Sequence, residues 1–349
     1  MKSWLLVPLL GAVLATSARA DDLNARAAQV KEQLQTTWLP VWAKTPTANE
    51  SAVQAALLLQ TLSHAHRLGY SSPQLNALDA ARGHYTRLRD LLRDKRGDGF
   101  FDSNSSRNPA DPKSSQTQAQ VVLGLVEYAR ASGQSEPRGI AIKTWRLLRD
   151  RARDRVNGGY FDSFLSGPLG ATQASGSGFK SAATHGRLLD AGAQLFALTR
   201  DRSIRRDVEE LLDLNEGRFF PTRGENVVSL YTADWQPASA QSLALPAFSP
   251  SEAVQAGAII ARAQDALGLP IGWVDFSRRA DQLSPTQDAL YAGGALDSLS
   301  LLARNLAPSR ERRAIQIDAV LDSLNSQTPD PLSGRALLDF VAALDAPRS

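Results

Sequence analysis

A short stretch of the chain combines residue types that proton transfer requires. Lys180, His185 and Arg187 lie within eight consecutive positions, just after a loop rich in Gly and Ser at 167–178. A neutral imidazole is the usual proton shuttle near physiological pH, and cations can neutralise a ligand carboxylate. The pattern predicts His185 as an acid–base group, with Lys180 and Arg187 binding substrate. The alternative is a histidine that simply bonds a neighbour.

The loop at 158–163, which reads GGYFDS, offers an aromatic ring and a carboxylate before this stretch. The ring of Tyr160 could stack on a sugar face or fill the core. The carboxylate of Asp162 could accept hydrogen bonds from ligand hydroxyls, or from backbone amides at the next helix start. The same two choices apply to Asp102, which occupies the matching position in an earlier loop. Of the two carboxylates, Asp162 is the stronger site candidate.

Two further positions complete the set of candidate site residues. Glu252 is a possible second catalytic group, although it also fits as the capping-box partner of Ser249 at the start of a helix. Asp234 and Trp235 stand together in a predicted loop, where an exposed indole suits sugar stacking and a buried one belongs to the core. Asp234 and Trp235 are therefore predicted to bind substrate, and Glu252 joins His185 as catalytic.

An internal repeat indicates how these residues are positioned. Residues 88–103 read LRDLLRDKRGDGFFDS and residues 148–163 read LRDRARDRVNGGYFDS, with nine of 16 positions identical at an offset of 60. Such a period indicates one supersecondary unit used repeatedly. The following helix starts also match, since KSSQTQ at 113–118 resembles KSAATH at 180–185. A third, degenerate copy is predicted at 212–220.

Helical periodicity of apolar residues covers most of the chain, and strand signals are scarce. Capping signals include Ser115-x-x-Gln118 and a glycine stop at Gly133. The helices pair into hairpins, which predicts an all-α fold built as a single domain over residues 21–349. The predicted helices are 23–43, 51–69, 73–95, 115–132, 137–155, 181–200, 203–215, 250–267, 271–282, 285–305, 309–325 and 333–345.

The first 20 residues have the pattern of a secretory signal peptide. Lys2 precedes an apolar run from Trp4 to Ala15, and Ala18-Arg19-Ala20 forms a cleavage signature. Cleavage after Ala20 predicts a periplasmic or secreted protein. No later segment approaches the roughly 20 apolar residues that a membrane span needs.

Composition excludes several classes of function. The chain has no cysteine, so thiol nucleophiles and cysteine metal sites are ruled out. Without Lys2 and Arg19, the 39 basic residues become 37 against 36 acidic ones, which gives no basis for nucleic-acid binding. His64 and His84 fall on polar helix faces, where we expect them to be solvated. The sequence implies no cofactor, gives no support for a metal, and leaves the oligomeric state open.

The loop at 158–163, followed by Lys180-x-x-x-Thr184-His185, resembles the N-acylglucosamine 2-epimerase superfamily, which includes cellobiose 2-epimerases and mannose isomerases. The resemblance covers most of residues 75–268 and extends to the Asp234-Trp235 loop. It implies an (α/α)6 barrel with a sugar pocket at one end, and paired histidines that move a proton beside a sugar carbonyl.

The chain departs from that family pattern at important positions. The family's Asn-Thr-His-x-His becomes Ala183-Thr184-His185-Gly186-Arg187, and its Gly-His-x-x-Glu histidine falls on Ser249. No histidine follows residue 185. The resemblance therefore implies a divergent member with an altered active site.

Three functions remain open at this point. The first is an exported sugar epimerase or isomerase with an altered site. The second is a polysaccharide lyase or glycosidase on the same barrel, and Asp162 with Glu252 would be the carboxylate pair of a glycosidase. The third is a non-catalytic carbohydrate-binding or scaffold protein in exopolysaccharide export or assembly. All three predict a mono-, oligo- or polysaccharide as partner.

Overall fold

The structure, a computed structural model, describes most of the chain between residues 25 and 272. The described residues are 25–47, 49–70, 75–103, 111–165, 178–220, 228–238 and 250–272, with short stretches at 299, 316–317, 320–321 and 337–341. Its helices are α1 (25–42), α2 (Ala52–Arg67), α3 (Ala77–Arg87), α4 (Ser115–Ser132), α5 (Ser135–Arg151), α6 (Ala182–Thr199), α7 (Arg202–Leu214) and α8 (Pro250–Leu267).

Short strands and π-helical turns join these helices. Strands β1 (Lys113–Ser114) and β2 (Ser163–Phe164) pair antiparallel, as do β3 (Phe179–Ser181) and β4 (Leu230–Thr232). Segments of π-helix lie within α1 at Leu34–Trp38 and extend α3 through Leu88–Leu92 and α7 through Asn215–Phe219. The last of these covers most of the predicted third copy of the repeat motif.

The helices from α2 to α7 form two layers. The inner helices α2, α4 and α6 pack side by side, and each is covered by the helix that follows it, α3, α5 or α7. The first residue of every inner helix donates its backbone N–H to a long loop one repeat further along the chain. These bonds join Ala52 to Asp102, Ser115 to Asp162 and Ala182 to Ser229, each at 2.9 Å. The long loops therefore line up at the amino ends of the inner helices.

Most predicted helices agree with the structure to within a few residues, and α4 and α8 agree at both ends. One predicted cap is wrong: the N-cap of α4 is Ser114, whose hydroxyl accepts the Thr117 amide, because Gln118 is used elsewhere. Gly133 ends α4 in the left-handed conformation, as predicted. The predicted helices beyond residue 270 lie largely outside the described residues.

The chain divides into two compact units. One contains Met1–Trp38, Pro250–Gln255 and Trp273–Ser349, and the other contains Leu39–Ser249 and Ala256–Gly272. Helices α2 to α7 and all four strands belong to the second unit. The single domain over residues 21–349 stays a prediction. No helix in the described part of the chain is long and apolar enough to cross a membrane.

A glycine sets the distance between two inner helices. A Cβ atom built on Gly124 of α4 would lie 2.6 Å from the backbone oxygen of Ala56 in α2, which is far too close for real atoms. Backbone atoms cannot move aside as a flexible side chain can. Gly124 therefore allows α2 and α4 to pack against each other at this separation.

We expect Gly124→Ala to destabilise the fold by about 1–3 kcal/mol, because the added methyl forces α2 and α4 apart. Gly139→Ala on α5 is the matched control: no atom lies within 4 Å of its built Cβ. Alanine is more favourable than glycine in a helix interior, so the control substitution should either leave the fold's stability unchanged or raise it by about 0.5–1 kcal/mol. Urea unfolding followed by circular dichroism measures both, and equal effects at the two sites would contradict the packing role.

Candidate functional site

The second repeat loop is a tight turn built around the carboxylate of Asp154. Its Oδ1 accepts the backbone N–H groups of Val156 at 2.9 Å and Asn157 at 3.0 Å. Its Oδ2 accepts Nζ of Lys180 at 2.8 Å. The amide of Asp154 donates to the Gly159 carbonyl and closes the turn. Burial alone would raise the pKa of Asp154, but the bonds from Lys180 and the amides leave it lowered.

Lys180 is fully buried, and all three protons of its ammonium group have acceptors. Besides Asp154, its Nζ donates to the carbonyls of Gly158 at 2.7 Å and Ala233 at 2.6 Å. The ammonium also lies 4.3 Å from the ring centroid of Trp235, a cation–π contact. Burial lowers the pKa of Lys180 despite the opposing effect of Asp154. The side chain joins two successive loops and has no donor left for a ligand.

The first repeat loop contains the same arrangement. Nζ of Lys113 donates to Oδ2 of Asp94 at 2.6 Å and to the Asp98 carbonyl at 2.7 Å. Oδ1 of Asp94 accepts the amides of Arg96 and Gly97, both at 2.9 Å. We call each buried pair, Lys113 with Asp94 and Lys180 with Asp154, a lysine clamp. The motif shared by the two repeats is therefore first a structural device.

His185 is completely buried, and backbone groups engage both of its ring nitrogens. Nε2 accepts the N–H of Tyr160 at 3.0 Å, and Nδ1 lies 2.9 Å from the Ser181 carbonyl. An amide can only donate, so Nε2 is unprotonated and Nδ1 carries the proton. Burial, with the charge of Lys180, outweighs the Ser181 carbonyl and lowers the pKa of His185 to about 4. The ring is a neutral, fixed part of the fold near neutral pH.

The two candidate carboxylates of the loops act at the next helix start. Oδ1 of Asp162 accepts both the amide and the hydroxyl of Ser181, at 3.0 and 2.7 Å. Asp102 interacts with the backbone of Ser114 and the side chain of Thr117 at the start of α4. Burial raises the pKa of Asp162, although the bonds from Thr184 and Ser181 oppose the shift. Of the two roles predicted for these residues, the geometry shows the one at the helix start.

Tyr160 packs where the second repeat loop meets α6 and the loop that carries Trp235, a region that we call the loop cluster. Its side chain is fully buried, and its ring meets that of His185 edge-on at 6.3 Å. The preceding Gly159 has a φ of 74°, and a Cβ there would lie 2.6 Å from the Trp235 ring. Only glycine therefore permits this close approach. Tyr160 contributes its ring to the core of the cluster, not to an open surface.

Trp235 lies in the next long loop along the chain, the third loop, and covers the loop cluster. Its backbone has a φ of 64°, and its indole N–H donates to the Asn157 carbonyl at 2.8 Å. The guanidinium of Arg218 lies 4.6 Å from its ring centroid. The neighbouring Asp234 is fully exposed, and a hydrogen bond from the Thr232 hydroxyl lowers the pKa of its carboxyl group. Trp235 thus joins the loops, while Asp234 lies at the exposed edge.

The structure brings together five of the eight predicted site residues. Arg187 is half-buried on α6, two positions after His185. Glu252 lies in α8, and its side chain is outside the described residues. The catalytic and substrate-binding roles predicted for all eight stay predictions. The five clustered residues are Tyr160, Asp162, Lys180, His185 and Trp235.

A polar layer across the inner helices has no counterpart in the sequence predictions. Glu127 of α4 contacts His64 at 3.2 Å and Arg67 at 2.5 Å, both on α2. Arg130 of α4 donates to Gln194 of α6 at 2.7 Å. His64, Glu127 and Gln194 occupy matching positions of successive helices, with spacings of 63 and 67 residues. Aligning the inner helices with one another, as the repeat loops were aligned, could have predicted this layer.

The expectation that two histidines are solvated fails. His84 is 1 % exposed, and its Nδ1 lies 3.2 Å from the carboxylate of Glu50. His64 is only 13 % exposed because Glu127 faces it. A buried acidic partner from elsewhere in the chain, either Glu50 just before α2 or Glu127 on α4, turns an apparently polar helix face inward. Among the residues that the structure describes, no group of acidic and histidine side chains has the arrangement of a metal site.

Solved structures of low sequence identity have the same fold. Cellobiose 2-epimerase from Bacillus thermoamylovorans is 16 % identical and has a TM-score of 0.73, with 91 % of this chain and 99 % of that chain covered. Cellobiose 2-epimerase from Spirochaeta thermophila is 20 % identical, with a TM-score of 0.71 and coverages of 93 % and 98 %.

An α-1,6-mannanase from a Salegentibacter species also matches, in an inactive variant with two adjacent aspartates replaced. It is 10 % identical and has a TM-score of 0.60, and the match covers 93 % of this chain and all of that one. The chain is therefore an (α/α)6 barrel of the type found in sugar-processing proteins, which confirms the predicted fold class.

The family model for N-acylglucosamine 2-epimerase matches residues 43–255, well over half of the chain. The chain belongs to the N-acylglucosamine 2-epimerase family, as the resemblance in its loops implies. Among curated proteins, none is significantly similar to it in sequence.

Removing the lysine of the second clamp should destabilise the fold strongly. We expect Lys180→Met to cost roughly 3–5 kcal/mol, because Asp154 would keep a buried charge without its cation. Lys143→Met on the exposed face of α5 serves as the control and should change stability by less than about 0.5 kcal/mol. Chemical denaturation at pH 7 compares the two, and a loss below about 1 kcal/mol for Lys180→Met would argue against the clamp.

Stability should fall in mild acid because of His185. Its pKa is near 6.5 in the unfolded chain and about 4 in the fold, so between these values the unfolded chain binds more protons. The contribution is complete above pH 6.5 and declines by about 3 kcal/mol as the pH falls to 4. Other acidic groups titrate in the same range, so the measured quantity is the difference from His185→Gln. A pH-independent difference would contradict the buried neutral imidazole.

Proposed function

We propose that this protein is an exported carbohydrate-acting barrel, related to sugar epimerases and isomerases and carrying an altered active site. The observation that carries the proposal is the family match over residues 43–255. That range includes both lysine clamps, α6 and the Trp235 loop. The substrate class that fits is a mono- or oligosaccharide with a free carbonyl carbon. Epimerisation at the neighbouring carbon would exchange its hydrogen with solvent.

The contacts of the predicted catalytic groups support an altered site. Both nitrogens of His185 are engaged by the backbone, and all three protons of Lys180 have protein acceptors. Neither is placed to take a proton from a sugar. Arg187 stands where the family resemblance expects a second histidine, and a guanidinium is a poor proton acceptor. Acid–base work by this chain would then fall to other groups, with Glu252 as the first candidate.

A glycosidase is less well supported. The related mannanase is inactive when two adjacent aspartates are replaced, whereas this chain has one adjacent aspartate pair, Asp21-Asp22, beside the predicted cleavage point. Asp162, the proposed partner of Glu252, is committed to the start of α6. A polysaccharide lyase built on His185 and Lys180 meets the same obstacle as the epimerase, since both groups are already bonded.

A non-catalytic sugar-binding protein is the second candidate. The engagement of His185 and Lys180 favours it, because a binding protein needs the barrel but no free acid–base pair. Export supports a role outside the cytoplasm, in handling or assembling an exopolysaccharide.

Mass spectrometry of the protein recovered from its native host should show a chain that begins at Asp21. A chain retaining Lys2 would argue against export.

Deuterium exchange distinguishes the two candidates. We expect incubation with cellobiose, mannose or N-acetylglucosamine in D2O to replace the hydrogen at C2 slowly, as followed by proton NMR and mass. Arg187→His restores the histidine that the family pattern has, and it should raise the exchange rate by about tenfold or more. Arg206→His, on the exposed surface of α7, is the control and should leave the rate unchanged.

Each outcome of this experiment has a defined meaning. Exchange in the native chain supports an epimerase-like reaction, and a gain with Arg187→His alone supports an altered active site. Sugar binding by calorimetry without exchange in either protein supports the non-catalytic candidate. Failure to bind or exchange any of these sugars would overturn the proposal of a carbohydrate with a free carbonyl carbon.

A further inference from the structure

The internal repeat contains a control for the role of His185. Gln118 occupies the matching position at the start of α4, five residues after Lys113, as His185 follows Lys180. Oε1 of Gln118 accepts the backbone N–H of Phe100 at 2.8 Å. Nε2 of His185 accepts the backbone N–H of Tyr160 at 3.0 Å. Two different side chains therefore perform one task, which is to receive the amide of the first aromatic residue in the loop.

The second polar end of each side chain completes the comparison. Nε2 of Gln118 donates to the Phe100 carbonyl at 2.8 Å, so the amide side chain pairs with both backbone groups of that residue. Nδ1 of His185 is bonded instead to the Ser181 carbonyl of its own helix start. A carboxamide does not titrate, so proton transfer cannot be the property that the two positions share.

We infer that His185 is a positioning residue that holds the second repeat loop on α6, and that a glutamine can replace it there. The bond to Tyr160 fixes the loop at Gly159, and the lysine clamp then connects that loop to Trp235. Removing the His185 side chain should loosen the loop at 154–162, while the first loop keeps its own clamp. The inference concerns loop geometry and does not depend on the proposed function.

The aromatic surroundings explain why this repeat has an imidazole. The ring of His185 lies 4.7 Å from that of Phe219 and 5.9 Å from that of Trp235, centroid to centroid. These contacts belong to the second repeat, where a third loop covers the cluster. A glutamine at this position would keep the hydrogen bond and lose ring packing, so His185→Gln should have a smaller effect than His185→Ala.

Amide hydrogen exchange, followed by mass spectrometry on peptic peptides, tests the inference in the full chain. In His185→Ala we expect protection of residues 155–163 to fall about tenfold or more, because the Tyr160 amide loses its acceptor. In His185→Gln, protection should stay within about threefold of the native chain. Residues 95–103 form the internal control and should be unchanged in both variants. In Gln118→Ala, protection should fall in residues 95–103 and stay unchanged in residues 155–163.

Side-chain nitrogen NMR and turnover complete the test. The His185 imidazole should be a neutral ring protonated at Nδ1 throughout pH 5–8. If His185→Gln loses as much protection as His185→Ala, the equivalence with Gln118 is wrong. If any sugar exchange found in the native chain disappears in His185→Gln while protection is kept, His185 is catalytic and the inference fails. That turnover arm alone rests on the proposed function, and absence of turnover in every variant leaves the exchange result to decide.

Discussion

The loops of this barrel depend on a buried lysine whose charge is matched entirely by the protein. An ammonium group without acceptors is costly to bury, so Lys180 is tolerated only because a carboxylate and two carbonyls surround it. Each acceptor comes from a loop, so satisfying the lysine fixes the loops relative to β3, the strand that carries it directly before α6. Replacing either Asp154 or Lys180 alone would leave the other as a buried charge without its partner. The clamp is less a source of net stability than a constraint that selects one loop conformation.

This constraint separates the parts of the motif that repeat from those that do not. The clamp, the glycine turn and the carboxylate at the next helix start occur in both copies, and chemistry unique to one site cannot arise from them alone. The differences begin where the second copy meets the third loop. Lys180 gains a third acceptor in Ala233, and Trp235 covers the clamp. Arg187 is half-buried on α6, the helix that follows Lys180, so any specific activity is best sought at that asymmetry.

The fold could be predicted well from the sequence because its signals are local and repeated. Apolar periodicity located α4 and α8 to the residue, and the 60-residue offset indicated a repeated unit. The cap of α4 was misplaced by one residue because Gln118 serves a distant loop amide, a contact that local patterns do not encode. His84 was misjudged for the same reason, since Glu50 lies 34 positions away. Five of the eight site candidates lie together, but residue types alone could not show which bonds these side chains already make.

A buried histidine in a motif-like setting is usually taken as a catalytic candidate, and here its burial argues in the other direction. A proton shuttle needs one nitrogen that a ligand can reach and a pKa near the working pH. His185 has neither, since the backbone holds both nitrogens and burial lowers its pKa to about 4. These contacts support our inference that His185 serves the loop through its geometry and not through proton transfer. The histidine is then evidence for how the loop is held, and any reaction has to be sought at other groups of the chain.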